Sequence, residues 1–305
     1  MSERASIGAT GVVERISRFP VKSMQGEDLD GCDLGLDGIP GDRAYALVDL
    51  DDGKVASAKN PAKWSSLLLF SATFPDEPGP SGSSGEVRIT FPDGAVASSE
   101  DPDIDERLSL CLGRRVTLTA AGTPAAAGRS YEATWPDVDG LVPSEFLDQT
   151  GIGRSEDGEV VSALGVGLAS PPGTFFDVSV LHVLTQATLR GLSTLAPGVD
   201  FDARRYRPGV LVGGDLETFA ENSWVGRTLS LGADARISVS LPTMRCVMTT
   251  LAQSGLDRDR QTLRAVAAHN RVEIAGLGTW ACAGAYASVT APGSLALGDA
   301  VVICD

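Results

Sequence analysis

Apolar and polar residues alternate most cleanly between Arg236 and Leu241. Ile237, Val239 and Leu241 fall on one phase, and Arg236, Ser238 and Ser240 on the other. A period of two is that of a half-buried β-strand. Pro242 lacks the amide a ladder needs, so the strand is predicted to end or bend there, just ahead of Cys246. Strands are likewise predicted over 11–21, 44–50, 86–91, 116–119, 210–212, 228–231, 281–289 and 300–303, with Pro292-Gly293 as the turn between the last two. Helical spacing predicts helices over 181–195, with Leu181, Leu184, Leu189, Leu192 and Leu195 near one face, and over 258–269. A shorter helix over 103–112 has Asp103 as its cap, Glu106 three residues on and Gly113 at its end, with Ile104, Leu108, Cys111 and Leu112 facing inward. One more short helix is expected near 144–149, before a Gly-rich connection that runs to Pro172.

Many short strands with a few intercalated helices predict a mainly β, α+β chain of barrel-like architecture, not alternating βαβ units. The stretch 120–129 is the candidate linker, giving domains over 1–122 and 123–305. Residues 75–85 read as a flexible excursion, and Asp51-Asp52-Gly53 as a hairpin turn. The acids around that turn lack the distal Glu of an EF-hand. Gly165-Val166-Gly167 reads as loop, since no helix follows it as a phosphate cradle requires.

The chain of 305 residues carries a net charge of −15. That balance argues against general binding to nucleic acid or to an anionic membrane. An anionic ligand must then be held by a local cluster of Arg and Lys against the global field. The N-terminus has no apolar core of signal-peptide length, and no run is long enough to span a membrane, so a soluble cytoplasmic protein is expected. The five cysteines (Cys32, Cys111, Cys246, Cys282, Cys304) are scattered with no C-x-x-C pair, which suggests neither a zinc site nor an iron–sulfur cluster. A free cysteine is most often a small buried hydrophobe. Cys246, where a strand gives way to a loop, can instead meet solvent or a ligand. His182 and His269, at the expected ends of helices, read as capping or packing residues, and Glu221 and Asn222 as parts of a structural turn.

Three stretches, taken together, carry a resemblance. The first is Phe19-Pro20-Val21-Lys22-Ser23-Met24-Gln25-Gly26, followed by Gly38-Ile39-Pro40-Gly41-Asp42-Arg43. The second is Asp202-Ala203-Arg204-Arg205-Tyr206-Arg207-Pro208-Gly209-Val210, followed by Phe219-Ala220-Glu221-Asn222-Ser223-Trp224. The third is Met244-Arg245-Cys246-Val247-Met248-Thr249-Thr250. In this order they resemble the MOSC superfamily, related to the C-terminal part of molybdenum cofactor sulfurase, preceded by its N-terminal β-barrel domain. The resemblance implies a site for the molybdenum–molybdopterin cofactor and, by likeness to the amidoxime-reducing members, reduction of N-oxygenated small molecules. It also carries a family-level association with pyridoxal phosphate.

Residue by residue, the resemblance makes Cys246 the catalytic metal ligand, a soft donor suited to a metal already held by the pterin's sulfurs. It makes Lys22, Ser23, Arg43, Thr185, Arg207 and Arg245 the cofactor-binding set. Arg donates two parallel hydrogen bonds to a phosphate, and Lys acts as a point charge. Arg204 and Arg205 join Arg207 in the expected basic cluster. If residues 244–248 stay extended, Met244, Cys246 and Met248 share a face and Arg245 points away. Three positions depart from the family pattern: Gly209 stands where Asn is frequent, Met244 where a small polar residue is, and Gln186 where Ser is usual. The chain has no flavin, nicotinamide or cluster motif, so the implied partners are a small-molecule substrate and a separate electron-donor protein of ferredoxin, flavoprotein or cytochrome type. Two other readings stay open: a sulfur carrier with a persulfide on Cys246, and a fold that binds a different anionic ligand.

Overall fold

The computed structural model describes residues 10–79, 85–135, 142–143, 152–154, 160–165 and 174–304. The short helix expected near 144–149 lies outside the described residues. The chain opens with strands β1 (Gly11–Arg18), β2 (Glu27–Leu29), β3 (Gly31–Leu34) and β4 (Tyr45–Asp49). Helix α1 (Pro61–Trp64), β5 (Ser71–Thr73), β6 (Arg88–Thr90), β7 (Val96–Ser98), helix α2 (Ile104–Leu112) and β8 (Val116–Ala120) follow. A three-stranded sheet comes next, from β9 (Ser130–Trp135), β10 (Ile152–Arg154) and β11 (Val160–Gly165). The last third holds β12 (Leu181–Thr185), α3 (Gln186–Leu195), β13 (Val210–Gly213), β14 (Thr228–Leu231) and β15 (Ala235–Met244). It ends with α4 (Gln261–His269), β16 (Arg271–Ile274), β17 (Gly278–Ala291), β18 (Gly293–Ala296) and β19 (Ala300–Ile303).

The mainly β architecture expected from the alternation is present. Seven strands close on themselves in the order β12-β13-β1-β19-β14-β15-β17, and β17 returns to β12. Closure leaves no free edge for another chain to join. Every pairing in the ring is antiparallel except β12 with β13, which helix α3 connects. The inward phase of each strand fills the barrel: Val13 and Ile16 from β1, Val183 from β12, Leu229 from β14, Ile237 and Val239 from β15. β1 belongs to the first of the two segments expected from sequence, yet it is a stave of this barrel. β3 likewise pairs with β18. A second core lies under β4, the β5–β7 sheet and α2, where Leu47, Trp64, Phe70, Ile89 and Leu108 meet. Helices α3 and α4 cover the outside of the barrel through Leu189, Leu192, Leu263 and Val266.

Several expectations need correction. Residues 181–185 form a strand, and helix α3 starts only at Gln186. Leucines at 181, 184 and 189 suit either period. Pairing with both β13 and β17 decides for the strand, and the Thr185 hydroxyl, accepting from the Thr188 amide, caps the helix that follows. β15 continues through Pro242, because the ladder to β17 shifts register between Val239 and Leu241 and again between Pro242 and Met244. An irregular ladder tolerates a residue with no amide to give. The Gly-rich connection before Pro172 contains β10 and β11. Pro292-Gly293 leads into β18 instead of a plain turn, and Cys111 is exposed on α2.

Ile237 is fully buried at the centre of the barrel. Ile237→Ala is expected to cost about 2–5 kcal/mol in denaturant unfolding, with the m-value unchanged.

Candidate functional site

The first segment of the site is a hook. The Lys22 amide donates to the Tyr45 carbonyl and the Tyr45 amide to that of Pro20, which fastens residues 20–22 to the start of β4. The turn at Gly41-Asp42-Arg43 is clipped to the same place. The Phe19 amide donates to Asp42 Oδ1 at 2.8 Å, and the Arg43 amide donates to the Phe19 carbonyl. Arg207 arrives from the far side of the chain, after a short 3-10 turn (Ala203–Arg205) capped by Asp202. Its guanidinium donates to the Met24 carbonyl at 2.6 Å. Arg43 and Arg207 both lie against the Phe19 ring, 4.7 and 4.1 Å from its centroid.

Among the described residues four non-glycine residues have left-handed backbone: Ser23, Arg43, Arg207 and Phe219. Three of these four belong to the cofactor-binding set read from the sequence. Arg207 is the most constrained, since it also precedes a proline. Such backbone persists only where its surroundings enforce it, and it gathers at functional sites.

Lys22 sits at the centre. It is buried, donates to the Phe175 carbonyl at 2.8 Å and pairs with Asp177 Oδ1 at 2.5 Å. Lys59 holds the other oxygen of Asp177 at 3.2 Å, and both ammonium groups lie over the Tyr131 ring. Burial alone would raise the Asp177 carboxyl, but Lys22 and Lys59 hold it well below the usual carboxylate range. Burial would lower Lys59, and Asp177 more than reverses that. Lys22 is left below its ordinary value, because burial outweighs its pairing with Asp177.

The third group lies at the end of β15. Arg245 donates through Nε to the Ala283 carbonyl at 2.8 Å, through one terminal nitrogen to the Tyr206 carbonyl at 3.1 Å, and through the other to His182 Nε2 at 2.5 Å. His182 therefore accepts at Nε2, and its Nδ1 faces the Arg207 carbonyl at 3.4 Å. Burial, with Arg245 and Arg43 nearby, pushes the His182 pKa well below its ordinary value, so the ring is neutral. Neither Arg207 nor Arg245 meets a carboxylate among the described residues, although each is over nine-tenths buried. Burial, with Arg43 beside it, brings the Arg207 pKa down to about 9.

Cys246 is half-buried at the start of the 3-10 turn Val247–Thr250, next to Met244 and the Trp280–Cys282 packing. It acts electrostatically on Lys59, Arg245 and Tyr286, which places it at the edge of the cation cluster. The other cysteines differ. Cys282 is fully buried and its thiol is pushed up to about 12 by burial, and burial brings Cys32 to about 11.

The structure brings together Lys22, Ser23, Arg43, Arg207, Arg245 and Cys246. The Ser23 hydroxyl accepts from the Ala58 amide, which anchors the segment leading to Lys59. Three sequence expectations change. Thr185 does not face the cluster: it is fully buried as a helix cap and donates to Glu221 Oε2. Arg204 is an exposed partner of Asp202, and buried Arg205 donates to the carbonyls of Asp200, Thr249, Leu251 and Asp257, so it braces the loop beyond Cys246. Arg245 points inward, because the strand ends at Met244 and the chain turns there.

The three departures resolve in part. A Cβ at Gly209 would meet Ile39 and Leu181 at 3.2 Å, so that position faces the core, and its amide is already given to the His182 carbonyl. Gln186 lines a separate cleft with Glu14, Arg15 and Asp202. Met244 does border Cys246. The sequence reading missed Lys59, Tyr131, Asp177, His182 and Tyr286. One signal for Lys59 was available: the chain has only four lysines, all between residues 22 and 63.

A family model of the MOSC domain matches residues 172–302, and one of the MOSC N-terminal beta barrel domain matches residues 10–129. The chain belongs to the MOSC superfamily, with the N-terminal β-barrel domain preceding the MOSC domain. Some members of that family bind molybdenum cofactor. Among solved structures the chain is similar to YiiM from Geobacillus stearothermophilus, at 16% identity and a TM-score of 0.30, over 42% of this chain and 55% of that one. It is similar also to a hypothetical protein, at 17% identity and a TM-score of 0.30, over 42% and 52%. The chain thus spans about half the length of each. No curated protein matches it. Among the described residues no helix is long and apolar enough to cross a membrane.

Asp177 carries a stability prediction. Its folded pKa is depressed, so its contribution is complete above the ordinary carboxylate value near 4 and falls as pH drops below it. Asp177→Asn leaves two ammonium groups without their carboxylate. It is expected to cost about 2–3 kcal/mol at neutral pH, the low end for a buried pair because Asp177 is 28% exposed. The gap between wild type and variant in urea unfolding should narrow as the pH is taken below 4.

Proposed function

We propose that this cluster binds the molybdenum–molybdopterin cofactor and that the protein is an oxidoreductase for N-oxygenated small molecules, served by a separate electron-donor protein. One observation carries the proposal: the site holds more positive charge, buried at Lys22, Arg207 and Arg245 and half-buried at Lys59 and Arg43, than the carboxylates touching it balance. Lys22, Lys59, Arg43, Arg207 and Arg245 are five cations, and Asp42 and Asp177 are two anions, since Arg43 pairs with Asp42. Uncompensated buried charge is costly, so an anionic ligand of two or three charges is the natural complement. The phosphate and sulfur anions of the pterin have that character.

The chain's donor set also suits the group. Among the described residues no three His, Cys, Asp or Glu side chains gather to hold a metal, so a metal beside Cys246 must bring ligands of its own. A single soft thiolate completes such a sphere. Lys22, Arg43 and Arg207 would hold the anionic end, with Phe19 supporting both arginines. Arg245 would donate to a polar edge, and neutral His182, whose Nε2 already accepts from Arg245, would hold that guanidinium in place. When bound, the cofactor supplies a two-electron centre that exchanges an oxygen atom.

Reduction of an N–OH group to N–H consumes two electrons and two protons and releases water. Lys59 holds a proton at Nζ, kept there by Asp177. Tyr131 and Tyr286 remain neutral phenols, burial raising the pKa of both. Arg207 and Arg245, fixed by their bonds to backbone carbonyls, would keep solvent from the anionic ligand when it is bound.

Protein purified from a host that makes the cofactor should contain near-stoichiometric molybdenum and pterin. Cys246→Ala should lose most of the metal and reductase turnover while keeping the fold. Lys22→Met and Arg207→Met should lose pterin and metal together, by at least tenfold. Pterin and metal both absent from the wild type would reject the proposal. A trapped persulfide on Cys246 with no metal retained would move the assignment to a sulfur carrier.

A further inference from the structure

Two buried ions of opposite sign in this molecule do not touch. Glu221 is fully buried, and no cation reaches its carboxylate among the described residues. Arg245 is 6% exposed and meets no carboxylate among the described residues. Both are bonded to the same peptide group. The Gly284 N–H donates to Glu221 Oε1 at 2.9 Å, and the carbonyl of that peptide, Ala283 O, accepts from Arg245 Nε at 2.8 Å and again from one of its terminal nitrogens. The peptide dipole thus has its positive end on the carboxylate and its negative end on the guanidinium.

The arrangement is held on every side. Oε2 of Glu221 accepts from the Thr185 and Thr188 hydroxyls, each at 2.9 Å. Those hydroxyls already accept the amides of Thr188 and Phe219, which leaves their protons for Glu221. The site therefore offers Glu221 donors, as a carboxylate needs, although burial raises its pKa. Close packing around the peptide leaves no room for a residue larger than glycine. Gly284 has φ +85°, and a Cβ there would lie 2.2 Å from His182 Nε2 and 2.8 Å from the Val183 carbonyl. This also explains why Thr185, which the sequence placed in the pocket, lies behind it: Thr185 holds the carboxylate.

We infer that Glu221 is the counter-charge of Arg245, acting through the Ala283–Gly284 peptide, and so sets how much positive charge the pocket offers an anion. Glu221 is a positioning residue, since it touches no ligand. The inference rests on reading the pocket as an anion site, and the test separates the two. Inorganic phosphate is titrated calorimetrically at slightly alkaline pH into wild type, Glu221→Gln, Glu221→Asp and Arg207→Met. Gln keeps the size of Glu and can keep the Gly284 bond while removing the charge. Glu221→Gln is expected to bind phosphate about three- to tenfold more tightly, because one negative charge leaves a low-dielectric neighbourhood. Glu221→Asp, which keeps the charge, should not tighten binding, and Arg207→Met should weaken it. A merely structural Glu221 gives weaker or unchanged binding in Glu221→Gln, and that result overturns the inference alone. Wild type that binds no phosphate overturns the anion-site reading and the inference with it. Should Glu221→Gln fail to fold, Thr188→Val, which withdraws one donor and favours the neutral acid, must tighten phosphate in the same direction; unchanged or weaker binding overturns the inference.

Discussion

At Arg207 and Arg245 positive charge is buried against backbone carbonyls, not against carboxylates, and on that constraint the site depends. Arg207 rests on the Met24 carbonyl and the Phe19 ring, and Arg245 on the carbonyls of Ala283 and Tyr206. A carbonyl satisfies a donor without cancelling its charge, so both arginines keep a field that a paired arginine would lose. The protein at large is strongly negative. The cluster is therefore a local reversal of sign, stable because its buried cations are each held by several groups at once.

The fold earns this by bringing distant pieces of chain to one place. Lys22 and Arg43 come from loops beside β4, Arg207 from the approach to β13, and Arg245 and Cys246 from the end of β15. β1 joins the two regions, because it is a stave of the barrel and runs directly into Phe19 and the hook that carries Lys22. Left-handed backbone at Ser23, Arg43 and Arg207, and register shifts in β15 just before Arg245, aim the side chains. The strain sits at the site, and the regular, well-packed barrel supports it.

Much of the fold was legible in the alternation of residues, because antiparallel strands with one buried face write their period into the chain. The failures have physical causes. Leu181 to Leu195 carries leucines that suit a helix or a strand, and only the two-sided pairing of β12 separates the halves. Pro242 stays in its strand because a shifted ladder asks nothing of its missing amide. At the site, Lys22, Arg43, Arg207 and Cys246 were named through the resemblance of three motifs, and the fold brings those motifs near one another. Asp177 and Tyr131 were not, since each stands in an unremarkable local sequence and gains its role from a partner more than a hundred residues away. Arg204, Arg205 and Arg207 look alike as a run. A short 3-10 turn sends the first to solvent, the second to loop carbonyls and only the third to the pocket.

Whether an anionic metal cofactor completes this reversal of charge is most directly tested by a crystal structure of protein purified from a cofactor-competent host, with diffraction recorded at the molybdenum absorption edge. The account predicts an anomalous peak within bonding distance of Cys246 Sγ and a phosphate group lying against Lys22, Arg43 and Arg207. A molybdenum peak remote from Cys246, or a cofactor phosphate seated away from those three cations, would contradict it.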